Sequence, residues 1–156
     1  MPTPRPISTS VDIDAAPARV WAVVGDVTRM PQWSPELRRL LVLGRRPVRV
    51  GTTLLGLNRR GWAVWPTTSK VTRLEPGRAV AWHTRESGAT WTYELAATDG
   101  SGTRLTGRRD LDSFTLGTTL LGPAIGGAEG HDRELEQGIR TTLDRIKQAV
   151  EAASLV

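Results

Sequence analysis

Two hydrophobic periods divide this chain. Within residues 129–152, Leu135, Ile139, Leu143, Ile146 and Val150 recur at intervals of three and four, which places them on one helix face. Glu134, Glu136, Arg140, Asp144, Arg145 and Lys147 cover the other sides. Such a helix runs about six turns, roughly 35 Å at 1.5 Å per residue. Upstream the period is two. Ile7, Thr9, Val11 and Ile13 alternate with Ser8, Ser10, Asp12 and Asp14, the pattern of a half-buried strand over 7–14. Similar patterning predicts strands at 37–43, 50–60, 62–74, 79–84, 90–97 and 103–111.

Turn residues separate these segments. Pro17 suits the first turn of a short helix whose apolar side is Val20, Trp21, Val23 and Val24 and which Gly25 ends. Pro31 and Pro35 limit the next stretch, 26–35, to one helical turn and a tight loop. Glu75-Pro76-Gly77-Arg78 has Pro and Gly at the central positions of a type II turn. Ser87-Gly88 and the Asp99 to Gly102 stretch turn the chain again. Section 113–130, with Pro123 and Gly126-Gly127, is expected to start helical and then kink. Residues 1–6, with three prolines, read as a loose arm. The predicted order is strand, two short helices, six strands in an antiparallel meander and one long helix, all in a single domain over 1–156.

Strand parity then selects an inner face. Thr52, Leu54, Gly56 and Asn58 share one side of their strand, and Ala63, Trp65, Thr67, Ser69 and Val71 share one side of the next. Val80 and Trp82 follow, then Trp91, Tyr93 and Leu95, then Thr103, Leu105, Gly107, Arg109 and Leu111. His83, Arg104 and Arg108 have the opposite parity and are expected outside, as are Asp110 and Asp112.

The order of these segments resembles the helix-grip superfamily of START-like domains, which includes lipid-transfer domains, birch-pollen-type allergens and bacterial polyketide cyclase/dehydrase-like proteins. The resemblance is carried by Ile13-Asp14-Ala15-Ala16-Pro17 with Val20-Trp21, by Trp33-Ser34-Pro35, and by Gly51-Thr52. Glu75-Pro76-Gly77-Arg78, Trp91-Thr92-Tyr93-Glu94-Leu95, Gly102-Thr103-Arg104-Leu105 and Thr142-Leu143 with Ile146-Lys147 extend it to the C-terminal helix. It implies an α+β fold in which a curved seven-stranded antiparallel sheet wraps a long C-terminal helix. An apolar cavity would lie between them, with the segment around Trp33 at its entrance. It implies small-molecule binding and no particular reaction, because the superfamily mixes carriers, sensors, co-chaperones and cyclases.

Composition narrows the chemistry. The 156 residues hold no Cys and only two His, His83 and His131, which removes disulfide, thiolate and histidine-rich metal chemistry. No Ser–His–Asp spacing or phosphate loop appears, so no catalytic, cofactor or metal residue is assigned. Glu129, Asp132 and Glu136 read as a solvated helix start. The six Trp, beside one Tyr and one Phe, are unusual, since indoles line cavities as readily as they fill cores. Trp21 is expected in the core of its helix, and Trp62 at a rim or surface. The expected ligand contacts are Trp33, Leu54, Asn58, Trp65, Trp82, Trp91, Tyr93 and Arg109 on the sheet side, and Leu135, Ile139 and Leu143 on the helix. An inward Arg109 either anchors a carboxylate or phenolate in a wet cavity or is turned outward beside Arg108 by a strand irregularity.

The formal charge of +5 rests on Arg pairs scattered along the chain (Arg38-Arg39, Arg45-Arg46, Arg59-Arg60, Arg108-Arg109) and reads as a solvated surface. Nucleic acid is therefore not an expected partner. With no signal-peptide pattern and no run of membrane-spanning length, the expected location is the cytoplasm. The leading expectation is a binding or carrier protein for a small aromatic or lipid-like molecule, because the inferred cavity face has few polar groups. A polyketide cyclase/aromatase-like or dehydratase-like enzyme is the alternative. A basic interaction module for RNA, ribosome or anionic membrane is a further one. Oligomeric state is left open.

Overall fold

The computed structural model describes residues 5–111 and 127–153, with side chains from residue 132 onward in the second stretch. The expectations for Asp112, section 113–126, Glu129 and His131 fall outside the described residues. Strand β1 (Ile7–Ile13) leads into α1 (Pro17–Val24), a 3-10 turn (Val27–Arg29) and α2 (Met30–Trp33). Strands β2 (Leu37–Leu43), β3 (Thr53–Arg60), β4 (Ala63–Glu75), β5 (Ala79–Thr84), β6 (Ala89–Ala97) and β7 (Thr103–Leu111) follow, then α3 (Gly127–Ala153). All seven strands form one antiparallel sheet, ordered β1-β7-β6-β5-β4-β3-β2. The meander thus runs in chain order, and β1 returns to pair with β7, Ile13 opposite Thr103 and Ile7 opposite Arg109.

Local chemistry accounts for the element ends. Arg78 N–H donates to Glu75 O at 2.9 Å and Gly77 has φ 77°, the left-handed position a type II turn requires. Gly25, after α1, donates its N–H to Trp21 O. The Asp26 carboxylate accepts the Thr28 N–H and starts the 3-10 turn. Helical structure then continues through Trp33, a turn further than expected. Pro31 lies in the first turn of α2, where its missing N–H costs no hydrogen bond. Strand β3 begins at Thr53 rather than residue 50, because Gly51 (φ 95°) and Thr52 make a turn bonded through their backbone to Val71.

The apolar stripe of α3 faces the sheet. Ile139, Leu143, Ile146 and Val150 are buried, with Leu135 half-buried at the N-terminal end of the stripe. The four buried residues pack with Val71, Val80, Tyr93, Leu95 and Leu105 of the sheet and with Val20 and Val24 of α1. Lys147 fastens the C-terminal half of α3 to β1, donating to Asp12 O and Glu151 Oε1, each at 2.6 Å. Gly107, on the inner face of β7, sets how close the helix comes. A Cβ there would lie 2.7 Å from Ile139 Cγ2.

Candidate functional site

The register carries the inward residues of successive strands into contact. Asn58 of β3 lies opposite Trp65 of β4, Ser69 opposite Thr84 of β5, Trp82 opposite Trp91 of β6, and Trp91 opposite Arg109 of β7. Between this face and the N-terminal half of α3 lies a pocket of about 220 Å³. Its sheet wall holds Leu54, Asn58, Trp65, Trp82, Trp91, Tyr93 and Arg109, and its helix wall Leu135, Ile139 and Thr142. The segment from α2 to β2 closes a third side with Ser34, Pro35, Glu36 and Leu37.

The aromatic groups are ordered against one another. The rings of Trp82 and Tyr93 stack, with centroids 5.7 Å apart and planes at 21°. The Arg109 guanidinium lies 5.6 Å from the Trp91 ring centroid, in cation–π contact. Arg109 points inward and is only 6% exposed, and its Nε has no hydrogen-bond partner. No ion pair joins it among the described residues. Burial pulls its pKa below the usual guanidinium value, while the Asp132 and Glu36 carboxylates oppose that shift. Arg108, by contrast, is exposed and pairs with Asp110 on the outer face at 2.8 Å.

The lining is more polar than the sequence reading expects. Asn58 donates from Nδ2 to Trp65 O (3.3 Å) and Thr67 Oγ1 (3.1 Å). Ser69 and Thr84 share a hydroxyl–hydroxyl bond of 2.8 Å. Burial raises the pKa of the Tyr93 hydroxyl well above its ordinary value, opposed by a hydrogen bond with Thr142. Glu36 is placed by a local turn in which Ser34 Oγ accepts the N–H groups of Glu36 and Leu37, while Glu36 O accepts the Arg59 N–H. Burial raises the pKa of Glu36, with nearby Arg60 opposing, Glu134 reinforcing and Arg109 opposing. Glu134 of α3 also lines the pocket and forms an ion pair with Arg60 at the end of β3.

Of the expected contacts, Leu54, Asn58, Trp65, Trp82, Trp91, Tyr93, Arg109, Leu135 and Ile139 all reach the pocket. Trp33 and Leu143 do not line it. Trp33 is buried in the core, with Arg29 5.2 Å from its ring centroid and Arg145 donating to its backbone oxygen. The extra helical turn through Trp33 carries it into the core cluster. Leu143, one turn beyond Ile139, is buried in the core. Trp62 is exposed, and His83 lies opposite Lys70 and Thr90 without lining the pocket. Sequence reasoning missed Glu36, Glu134, Thr84 and Thr142 as lining residues. Thr142, three positions beyond Ile139, could have been found from helical spacing, whereas no periodicity covers the Glu36 turn.

A curved antiparallel sheet closed over one long helix, with a pocket between them, defines a helix-grip protein. The chain belongs to the polyketide cyclase / dehydrase and lipid transport family, whose model matches residues 5–151. Among solved structures it is similar to the Zhui aromatase/cyclase from Streptomyces sp. R1128, at 18% identity and TM-score 0.72, covering 94% of this chain and 93% of that one. TTHA0849 from Thermus thermophilus matches at 16% identity and TM-score 0.70, covering 96% of this chain and 99% of that one. The Polyketide_cyc-like protein Cgl2372 from Corynebacterium glutamicum matches at 26% identity and TM-score 0.64, covering 98% and 95%. No curated protein sequence matches the chain significantly.

Proposed function

We propose that this protein binds or carries a small, planar, largely apolar molecule bearing an acidic group, held between the sheet and α3. The observation that carries the proposal is Arg109, a buried guanidinium against the Trp91 ring whose Nε has no partner, on the wall of a pocket lined by indoles. A buried cation with unmet donors is costly, and an anionic ligand oxygen would supply the missing acceptor. Stacking on Trp65, Trp82 or Trp91 would orient the rings. Calorimetric titration with naphthoic acid and its methyl ester tests this, alongside native mass spectrometry of the purified protein for a co-purifying small molecule. Saturable binding of the acid in preference to the ester is expected. Failure of any aromatic acid to bind would overturn the reading.

A second reading, an enzyme acting on a polyketide-type carbonyl substrate, is favoured by one specific feature. Glu36, with its pKa raised by burial, and cationic Arg109 border the same pocket. The first would donate or accept a proton and the second would stabilise a developing enolate oxygen. Turnover of a poly-β-ketone chain that is lost in Arg109→Ala and in Glu36→Gln would establish this reading over simple carriage.

A further inference from the structure

Residues 37–74 contain nine Arg or Lys and no Asp or Glu, leaving twelve basic against sixteen acidic residues for the remainder of the chain. Arg60 pairs with Glu134, and Arg73 with Glu75 and Glu94. The others, Arg38, Arg39, Arg45, Arg46, Arg49, Arg59 and Lys70, are exposed and form no ion pair among the described residues.

The sheet register gathers part of this charge around exposed apolar side chains. On the outer face of β2, β3 and β4, Leu43 lies beside Thr53 and Lys70, and Leu41 beside Leu55 and Thr68. Arg39 lies beside Leu57 and Pro66, and Arg59 beside Val64. The result is an aliphatic band edged by Arg39, Arg59 and Lys70. Leu41 is 63% exposed, Leu43, Leu57 and Val64 are also exposed, and Trp62 projects from the β3–β4 hairpin at 94% exposure. Glu86 also reaches this band, where its carboxylate accepts the Thr68 backbone N–H.

We infer that this wing of the sheet is a docking surface for an anionic lipid bilayer, with Trp62 and the aliphatic band entering the headgroup boundary and the arginines meeting lipid phosphates and carboxylates. A bilayer accepts both components at once, since Trp favours the headgroup level and each basic residue near an anionic surface contributes attraction. Nucleic acid would neutralise the arginines but offers little to exposed Leu and Val. A second copy is disfavoured by charge. A two-fold interface joins the same patch to itself and would bring unpaired cations against their own equivalents. Attachment would be peripheral, because no helix among the described residues is long and apolar enough to cross a membrane. The inference does not depend on what the pocket holds.

Sedimentation with vesicles of phosphatidylcholine alone and of phosphatidylcholine with phosphatidylserine tests it, together with quenching of Trp emission by brominated phosphatidylcholine. Binding to the phosphatidylserine vesicles is expected, weakened by salt and accompanied by quenching. Trp62→Ser with Leu41→Ser should lower vesicle affinity at least tenfold. Arg39→Gln with Arg59→Gln should lower it about fivefold per charge removed. All four side chains are exposed, and the Arg59 guanidinium bonds only the Gly61 backbone oxygen of its own hairpin, so thermal melting should change little, which separates lost docking from lost folding. Three outcomes would overturn the inference: no binding to phosphatidylserine vesicles at low salt, binding insensitive to both double variants, or a dimer that Trp62→Ser dissociates. Tighter binding of a single-stranded RNA oligomer than of vesicles, untouched by Trp62→Ser, would replace the bilayer with nucleic acid.

Discussion

Arg109 and Glu36 border one pocket with opposite responses to burial, which lowers the pKa of the guanidinium and raises that of the carboxyl. If a ligand acid meets Arg109, Arg109→Ala should weaken naphthoic acid by about 1.5–3 kcal/mol, the range for a hydrogen bond to a charged group. Its methyl ester should lose little, and equal losses in calorimetry would assign Arg109 a structural role. For Glu36 the disfavoured form is the ionised one. Its penalty is absent below the ordinary carboxyl value of 4.5 and complete above the raised folded value, so its contribution to stability falls as pH rises through that window. Glu36→Gln should therefore melt above the wild type near neutral pH, with the two curves converging as pH falls below about 4. A variant that melts lower at neutral pH would mean that the charge on Glu36 is stabilising.

At the scale of elements, the approach of α3 to β7 separates pocket from core. Leu143 is 1% exposed, and Leu143→Ala should cost about 2–5 kcal/mol in urea unfolding, as for a leucine in a close-packed site. Gly107→Ala places a methyl group 2.7 Å from Ile139 Cγ2 and 3.3 Å from Tyr93 Cε1. Helix or sheet must then shift, at a cost of about 1–3 kcal/mol. Because Ile139 also lines the pocket, the same variant should change naphthoic acid affinity, whereas wild-type affinity in a destabilised protein would show that the helix shift stops short of the pocket.

At the scale of the molecule, the pocket lies between segments far apart in the chain, with β3 and β4 on one wall and α3 on the other. A ligand bound there contacts both and is released when they separate, so it should stabilise the fold as a unit. At a hundredfold excess over Kd the gain is about 2.7 kcal/mol, which for a chain of this size raises Tm by roughly 5–10 °C. Differential scanning calorimetry with increasing naphthoic acid checks this. A Tm that does not move, for a ligand shown to bind, would place binding outside the sheet–helix interface.

Most of the architecture could be read directly from the sequence. The three-and-four spacing from Leu135 to Val150 can be satisfied only by a helix with one buried side, and the alternation in Ile7 to Ile13 only by a strand. Parity alone put Trp65, Trp82, Trp91, Tyr93 and Arg109 on one face, because side-chain direction along a strand is a local property. Which inward residues border open space is not local. Leu143 and Ile139 have the same helical phase, yet only Ile139 lines the pocket, because what stands across from each residue depends on the sheet and not on the spacing along the helix. Glu36 belongs to no periodic segment, and Trp33 turned into the core through a helical turn that Pro31 permits. The acid-free stretch 37–74 was equally open to reading, but only strand register decided that Arg39, Arg59 and Lys70 edge one aliphatic surface. Backbone hydrogen bonds between strands determine who neighbours whom, and the order of residues along a single strand holds no record of that pairing.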